Sequence, residues 1–453
     1  MKSDESFAEE VVAEALRQGA DQAELFIRSS RNLSVEIKDR SIDSLKSSLS
    51  SGYSLRVIKK NRLGFAYSNA REEKDEVIRN ALQAAQYTSE DGCLGLPGSA
   101  GSVNVEIMDD EISGIVATVP GKHKEEAIEQ VMLLERYVYD EDRRIKKVRK
   151  AVGTFTCSET GIFNSNSLKT RYVSTSCTAQ VTAIAEEEGE SQRGWDFEGS
   201  RFLREISFES VGKNAARNAV RLLGSRKIRG CRAYVVLDRS VAVDFAGIFA
   251  SLISSEAVQK GKSLLAGMRG KKVVSEKISM RDSGLLPGKM GSSPVDDEGV
   301  PAQEKVIIRE GVLVNYLYNT FTAKRDGTAS TGNAVRGSYA ALPSVGVTNF
   351  FIDAASRDCV RPGNRLFDAI DKGLFVVDAM GVHTANPISG EFSIGVSGLW
   401  IEHGEITYPV KEAVISGNIL EFFGKIEAAA DDIRFYGNIG SPSLIIHDVD
   451  ISA

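Results

Sequence analysis

Residues 241–267 read VAVDFAGIFASLISSEAVQKGKSLLAG, the longest apolar segment of the chain. A membrane span needs about 20 apolar residues, whereas only Phe245 to Ser255 separates Asp244 from Glu256, and several of those residues are serine. The segment is therefore too short to cross a bilayer. Phe245, Ile248, Phe249, Leu252 and Ile253 fall at i, i+3, i+4, i+7 and i+8, the spacing of one helical face. The opposite face carries Ala246, Gly247, Ala250, Ser251, Ser254 and Ser255, which are all small. Periodicity alone predicts a packing helix whose small face lets another backbone approach closely.

The surroundings of this helix are those of a globular protein. The chain has 453 residues, which is long for one core and predicts two or three domains. Apolar residues make up 42% and charged residues 26%, and the formal net charge is −6. That acidic balance argues against a protein that lives on a phosphate backbone. Five cysteines lie scattered with no C-x-x-C pair, a pattern that fits reduced thiols and a cytoplasmic location better than disulfides or a thiolate metal site. The N-terminus, MKSDESFAEEVVAEALRQGA, is acidic where a signal peptide is basic. It reads as an amphipathic helix with Phe7, Val11, Val12, Ala15 and Leu16 on one face.

Element patterning predicts an α+β protein. After the first helix, ADQAELFIRSS, NLSVEIKDRSID, SLKSSLSSGYSLRVIKK and RLGFAYSN alternate apolar and polar residues like strands, broken by Asn-Arg and Ser-Gly turns. A helix over about 74–86 follows, then the loop DGCLGLPGSAGS. The order recurs: a helix over 122–139, antiparallel strands from KKVRKAVGTFTC to GWDFEG, and a helix from Phe208. This succession of helix, meander and helix suggests a duplication, although no residue-level repeat is visible. The expected organisation is an N-terminal α+β domain over 1–90, a central α+β domain over 91–225 and a β-rich C-terminal domain over 226–453. Asn61-Arg62, Arg309-Glu310-Gly311 and Glu402-His403-Gly404-Glu405 read as hairpin tips.

Motifs for chemistry are sparse. No two of His123, His383, His403 and His447 lie within five residues of each other, so no helix carries an H-E-x-x-H pair. His123 and His403 read as surface residues, whereas His383, in AMGVHTANPISGEFS, sits in a loop beside a strand. There is no G-x-S-x-G, and the S-x-x-K match Ser210–Lys213 begins a helix, where serine serves the helix start. The acidic run Asp296-Asp297-Glu298-Gly299 lacks D-x-D-x-D-G spacing and reads as a capped turn. The basic run Arg143–Lys150 follows acidic YDED, which fits a strand end with local ion pairs better than a nucleic-acid patch. What remains are polar loops: PVDDEGVPAQ, ASTGNAVRGS and HTANPISGEFS. Their backbone donors and small polar groups suit an extended peptide or a tight turn equally well.

Those loops carry a resemblance. ALRQGADQAELFI, the stretch PVDDEGVPAQEKVIIREGVLVNYLYNTFTAKRDGTASTGNA and the block GEFSIGVSGLWIEHGEITYPVKEAVISGN together resemble the TldD/PmbA family, the TldD–TldE metalloproteases once described as modulators of DNA gyrase. TldD-like members of that family carry an H-E-x-x-x-H helix and a downstream cysteine that bind zinc, with the glutamate as general base. Alignment through GKSLLAGMRGKKVVSEKISMRDSG sets AGIFAS on the six motif positions, so that Ala246 and Ser251 replace the histidines and Gly247 the glutamate. A methyl, a hydrogen and a hydroxyl cannot hold zinc at about 2.0–2.1 Å, and the C-terminal GNIGSPSLIIHDVDI contains no cysteine.

The chain is thus similar to the PmbA/TldE branch. That resemblance implies a cytoplasmic, non-catalytic subunit with no catalytic residue, metal or cofactor of its own, paired in a heterodimer with a TldD-like subunit that holds the zinc. A homodimer of the isolated chain is left open. Peptides are the implied substrates, with Thr331, Gly332, Asn333, His383, Asn386 and Ser389 as candidate peptide-binding residues. Neither membrane nor nucleic acid is an expected partner. Two other readings compete: a hydrolase active alone through His383, and a gyrase-associated regulator whose local support is the run Arg143–Lys150.

Overall fold

The computed structural model describes residues 4–98, 103–117 and 121–452. Helix α1 (Asp4–Arg17) buries Phe7, Ala8, Val11, Val12 and Ala15, so Ala8 joins the predicted face while Leu16, also predicted there, is exposed. Strands β1 (Gln22–Lys38), β2 (Ser41–Lys59) and β3 (Arg62–Ser68) form a meander closed by helix α2 (Lys74–Ala84). Beyond β4 (Val103–Ile107), helix α3 (Lys122–Glu141) precedes β5 (Ile145–Asn164), β6 (Lys169–Glu187) and β7 (Glu190–Ser200), and α4 (Phe208–Val220) completes the second unit.

The two units share one sheet. Its order is β3-β2-β1-β5-β6-β4, with β7 beside β6, and β1 pairs antiparallel with β5 from Glu24–Asn164 to Ile37–Ala151. The helix–meander–helix order is therefore two halves of a continuous sheet. Helices α1 and α2 pack on one core (Val11, Leu25, Leu55, Ile78), and α3 and α4 pack on another (Val35, Val131, Phe155, Ala215).

The strands are longer than the sequence segments suggested. Ser51–Gly52 is no turn but runs inside β2, and β1 continues through Arg31–Asn32. The chain reverses instead at Asp39–Arg40, where both residues have positive φ (52° and 61°), the requirement of a two-residue hairpin turn that matches strand twist. Glu135 of α3 fixes this turn by accepting the Arg40 N–H at 2.8 Å. The tips at Lys60–Asn61, Glu310–Gly311 and His403–Gly404 likewise have positive φ, in or next to the predicted stretches.

A second tie is acidic. Glu190, at the start of β7, accepts from Ser225 Oγ (2.6 Å), Gln192 Nε2 (2.8 Å) and Gly224 N (2.8 Å), anchoring the chain that leaves α4. Burial alone would raise this carboxyl, but those donors hold it at about 2. A carboxyl depressed from its ordinary 4.5 stabilises the fold above that pH and stops doing so as pH falls through about 2. Glu190→Gln is accordingly expected to cost about 1–2 kcal/mol at pH 7, given partial solvent screening. The deficit relative to wild type should shrink steadily in urea titrations run from pH 5 down to pH 2.

The C-terminal part is β-rich. Strand β8 (Cys231–Leu237) leads into helix α5 (Arg239–Leu252), which contains the first part of the apolar segment 241–267. Strands β9 (Ile278–Ser283), β10 (Glu304–Arg309) and β11 (Asn349–Ala354) belong to one sheet. In a second sheet, β12 (Lys372–Met380), β13 (Glu391–Glu402), β14 (Glu405–Asn418) and β15 (Ile426–Ala430) are joined by the last strand, β16 (Leu444–Ser452). Because β16 pairs with both β14 and β8, the ladder β8-β12-β13-β14-β16 closes on itself.

Helix α5 packs into the core formed by both sheets. Asp238 caps it, accepting the Ser240 N–H at 2.9 Å, and Val241, Ala242, Phe245, Ala246, Phe249 and Leu252 are buried. Phe245 meets Phe392 edge-on at 5.6 Å, and Phe249 lies 4.8 Å from Phe423. The helix is rotated relative to its sequence-derived faces: Ala246 is wholly buried, while Ile248 is only half-buried. The large rings at 245 and 249 set the buried stripe, and Ala246 between them is small enough to enter it. Among the described residues no helix is long and apolar enough to cross a membrane.

Candidate functional site

One flank of α5 faces a cleft of about 530 Å³. Val243, Asp244, Gly247, Ile248 and Ser251 form its floor, and Ala379, Gly381, Val382, Ala385 and Pro387 border it from the end of β12 and the loop that follows. The opposing wall crosses between domains. Trp195 of β7 and Tyr436 meet edge-on at 5.7 Å, and both line the cleft. Arg434 holds that wall by pairing with Asp196 at 3.0 Å and donating to the Phe197 carbonyl at 2.8 Å. Burial, reinforced by the Asp196 and Asp238 carboxylates, pushes the Tyr436 phenol up to about 12, so it stays a neutral hydroxyl at working pH.

The residues that align with a zinc-binding motif sit here, but not together. Gly247 and Ser251 are one turn apart and both line the cleft; Ala246 is turned into the core. A Cβ built on Gly247 meets nothing within 4 Å, so the space a larger side chain would fill is open. Asp244 and Ser251 are the oxygen-bearing side chains that α5 presents to the cleft. One carboxylate and one hydroxyl do not make the three-ligand set that zinc requires, so the described side chains do not fit the metal. Among the described residues the grouping of metal-ligating type is Glu111, His123 and Glu126, largely exposed on the central part of the chain and apart from the residues that line the cleft.

The candidate peptide-binding residues divide into two sets. Asn386 and Ser389 are exposed on the loop beside the cleft. Asn386 Oδ1 accepts the N–H groups of Ile388 (2.8 Å) and Ser389 (3.2 Å), an Asx turn that shapes the loop. His383 lies in the short helical turn Val382–Thr384, and its side chain is outside the described residues.

Thr331, Gly332 and Asn333 serve elsewhere. Asn333 is wholly buried; its amide donates to Asp282 (2.9 Å) and the Gly346 carbonyl (2.9 Å), and its Oδ1 accepts from Lys305 (3.1 Å) and Thr331 (2.8 Å). Gly332 adopts φ +68°, and a Cβ there would fall 2.7 Å from the Pro301 carbonyl oxygen. Their polar groups are satisfied inside the protein, so they present nothing to a peptide in this conformation.

The same is true of the acidic run. Asp296 accepts three backbone N–H groups, from Glu298, Val300 and Ala334, each at 2.9 Å. Asp297 pairs with Arg28 of β1 at 2.6 Å. Glu298 pairs with Arg56 of β2 at 2.8 Å, Arg56 with Glu24 at 2.9 Å, and Glu24 with Arg336 at 2.6 Å. Burial would raise the Glu298 carboxyl, but the Arg56 guanidinium and the Thr320 N–H hold it below the ordinary carboxylate range. Asp297, Glu298 and Arg336 are therefore the C-terminal side of an ionic clamp whose other side is Glu24, Arg28 and Arg56 of the N-terminal sheet.

Sequence reasoning missed the aromatic wall. The one available signal was chemical: Trp195 is one of only two tryptophans in the chain. Its pairing with Tyr436, 241 positions later, depends on the fold and has no local signature.

Comparison with known proteins agrees with this architecture. Residues 23–85 match the PmbA/TldA metallopeptidase domain 1, residues 118–223 the central domain and residues 230–453 the C-terminal domain of the same family. The metalloprotease PmbA of Escherichia coli O157:H7 is 26% identical over 454 residues, covering 98% of this chain and 96% of that protein. Among solved structures, a Thermotoga maritima protein described as a candidate modulator of a DNA gyrase superposes with a TM-score of 0.88 at 24% identity, covering 99% of this chain and all of the other. TldE from Thermococcus kodakarensis gives 0.85 at 21% identity, again over 99% of this chain and all of that one. With all three of its domains matched in order, the chain belongs to the PmbA/TldD metallopeptidase family.

Proposed function

We propose that this chain is the non-catalytic, TldE-like subunit of a heteromeric cytoplasmic metallopeptidase, in which a TldD-like partner holds the zinc and attacks the peptide bond. One observation carries the reading. The cleft-lining face of α5, onto which the family's H-E-x-x-x-H motif aligns, offers Gly247 in place of the base and Ser251 in place of a metal ligand, with Ala246 in the core. A methyl, a hydrogen and a hydroxyl at these three positions supply neither the Lewis acid nor the general base by which the motif activates water.

The cleft retains what a peptide-accommodating surface needs. Its walls are aromatic and aliphatic, its floor at Gly247 is open, and the loop carrying Asn386 and Ser389 lies beside it. In this reading the subunit shapes half of a chamber and positions extended backbone, and the partner supplies the chemistry.

The test is metal analysis of the purified chain dialysed against trace zinc, followed by a peptidase assay. The expected result is well under one zinc per chain and no cleavage of unstructured peptides. About one tightly held zinc per chain would overturn the proposal.

A further inference from the structure

Strand β10 turns a lysine inward. Lys305 is buried on the same strand as Ile307 and Ile308, and its side chain is 5% exposed. Lysine is almost never buried unless its charge is paired. Here the pair is Asp282 of β9, which stands opposite it in the ladder and is 0% exposed, with Nζ 2.9 Å from Oδ2. Thr348 fixes that carboxylate, donating its N–H to Oδ1 at 2.7 Å and its hydroxyl to Oδ2 at 2.8 Å.

Asn333 turns the pair into a triangle. Its Nδ2 donates at 2.9 Å to Asp282 Oδ2, the oxygen that also meets the lysine, and its Oδ1 lies 3.1 Å from Lys305 Nζ. The Thr331 hydroxyl donates to the same Oδ1 at 2.8 Å, nearer than its other acceptor, the Tyr318 carbonyl at 3.1 Å. A buried ion pair alone needs none of this. One carboxylate oxygen bridges an amine and an amide nitrogen, the amine touches the amide carbonyl, and a hydroxyl sits on the carbonyl oxygen. Those are the parts of an acyl transfer: nucleophile, electrophile, proton carrier, and a donor where negative charge develops.

We propose that Lys305 and Asn333 join in an intramolecular isopeptide bond, with Asp282 as the proton carrier. The Lys305 ammonium gives a proton to Asp282, because burial favours a neutral pair over two charges. The neutral Nζ attacks Cγ of Asn333, and the Thr331 hydroxyl stabilises the oxyanion that forms. Asp282 passes its proton to Nδ2, the Cγ–Nδ2 bond breaks, and ammonia leaves. Asp282 then takes the surplus proton from Nζ, which becomes an amide N–H. Two protons have left the lysine, one in the ammonia and one on Asp282, so the step needs no oxidant and no cofactor. The two residues are 28 positions apart. The bond fastens β10 to the loop that carries Arg336, the residue that holds Glu24 across the domains. No residue of the cleft takes part, so the inference stands or falls apart from the reading of α5.

The experiment is intact-mass spectrometry of the full chain, purified folded and held for several days before denaturation. The wild type should be lighter than its sequence mass by one ammonia. Its tryptic digest should contain a branched species joining the peptide of Lys305 to that of Asn333, with no cleavage after Lys305. Lys305→Met and Asp282→Asn should keep the full sequence mass. Thr331→Val should slow the reaction on the order of 100-fold, the cost of losing one donor to an oxyanion, and leave most of the freshly purified chain at full mass. A wild type that stays at its full sequence mass overturns the proposal. So does a loss of ammonia that persists in Lys305→Met, which would mark a cyclised asparagine. If Lys305→Met does not fold, the wild-type digest decides, because only the cross-link yields the branched peptide.

Discussion

Arg336→Ala is expected to lower the unfolding free energy by about 3–5 kcal/mol, the usual cost of removing one partner from a buried ion pair. The Arg336 side chain is 0% exposed. Its guanidinium bonds Glu24 at 2.6 Å, donates to the Asp297 and Ala341 carbonyls at 3.2 Å each, and lies 4.6 Å from the centre of the Phe26 ring. Removing it leaves Glu24 with Arg56 alone and strips two partly buried carbonyls of a donor. Arg336→Lys keeps the charge but loses the fork that reaches three acceptors at once, and should recover less than half of the loss. Because the clamp joins β1 and β2 to the C-terminal domain, denaturant unfolding should separate into two transitions in the alanine variant. A single transition displaced by under about 1 kcal/mol would show that the clamp contributes little.

The second large effect is expected at the cleft. Gly247→Trp should reduce kcat/KM of the assembled peptidase on the order of 100-fold, the scale of loss when positioning of the substrate is disturbed. The substitution suits the question because the site has room: nothing lies within 4 Å of a Cβ at 247, so the fold should survive while the indole obstructs the floor of a cleft of about 530 Å³. Gly247→Ala, which adds one methyl to the same open space, should leave activity and melting temperature nearly unchanged. If the indole variant folds, binds the partner and turns over peptide at the wild-type rate, the cleft is not where substrate lies. A loss of binding to the partner would instead place Gly247 at the subunit contact.

How much of this was legible in the sequence differs from element to element. The α+β class and the small-residue character of α5 could be read from periodicity, because a helix and a half-buried strand impose different repeats. The rotation of α5 could not, since Ala246 is compatible with either face and only the ring contacts of Phe245 and Phe249 decide. Ser51–Gly52 has turn composition, yet β2 passes straight through it. On one side it is held by β1, and a Cβ at Gly52 would run into the Tyr339 ring, so there glycine serves close packing instead of a bend.

The polar loops were the least legible. Thr331 and Asn333 have the composition of a backbone-binding loop, but composition does not distinguish polar groups turned outward from a donor spent on Asp282 and acceptors spent on Lys305. DDEG is the capped turn its composition suggests, but its ion pairs could not be read, because its partners Arg28 and Arg56 lie more than 200 positions upstream. Long-range ion pairs leave no local pattern. The aligned positions Gly247 and Ser251 were informative through what a metal needs and these side chains lack.

If the chemistry belongs to another chain, this one turns over peptide only in that chain's company. Cleavage of an unstructured peptide is followed with this chain alone, with a TldD-like chain bearing an intact H-E-x-x-x-H alone, and with the two mixed at equal concentration. The expected result is no turnover by this chain, full activity in the mixture, and loss of that activity when the partner's motif glutamate is replaced by glutamine. Metal-dependent cleavage by this chain alone, at a rate the partner does not raise, would contradict it.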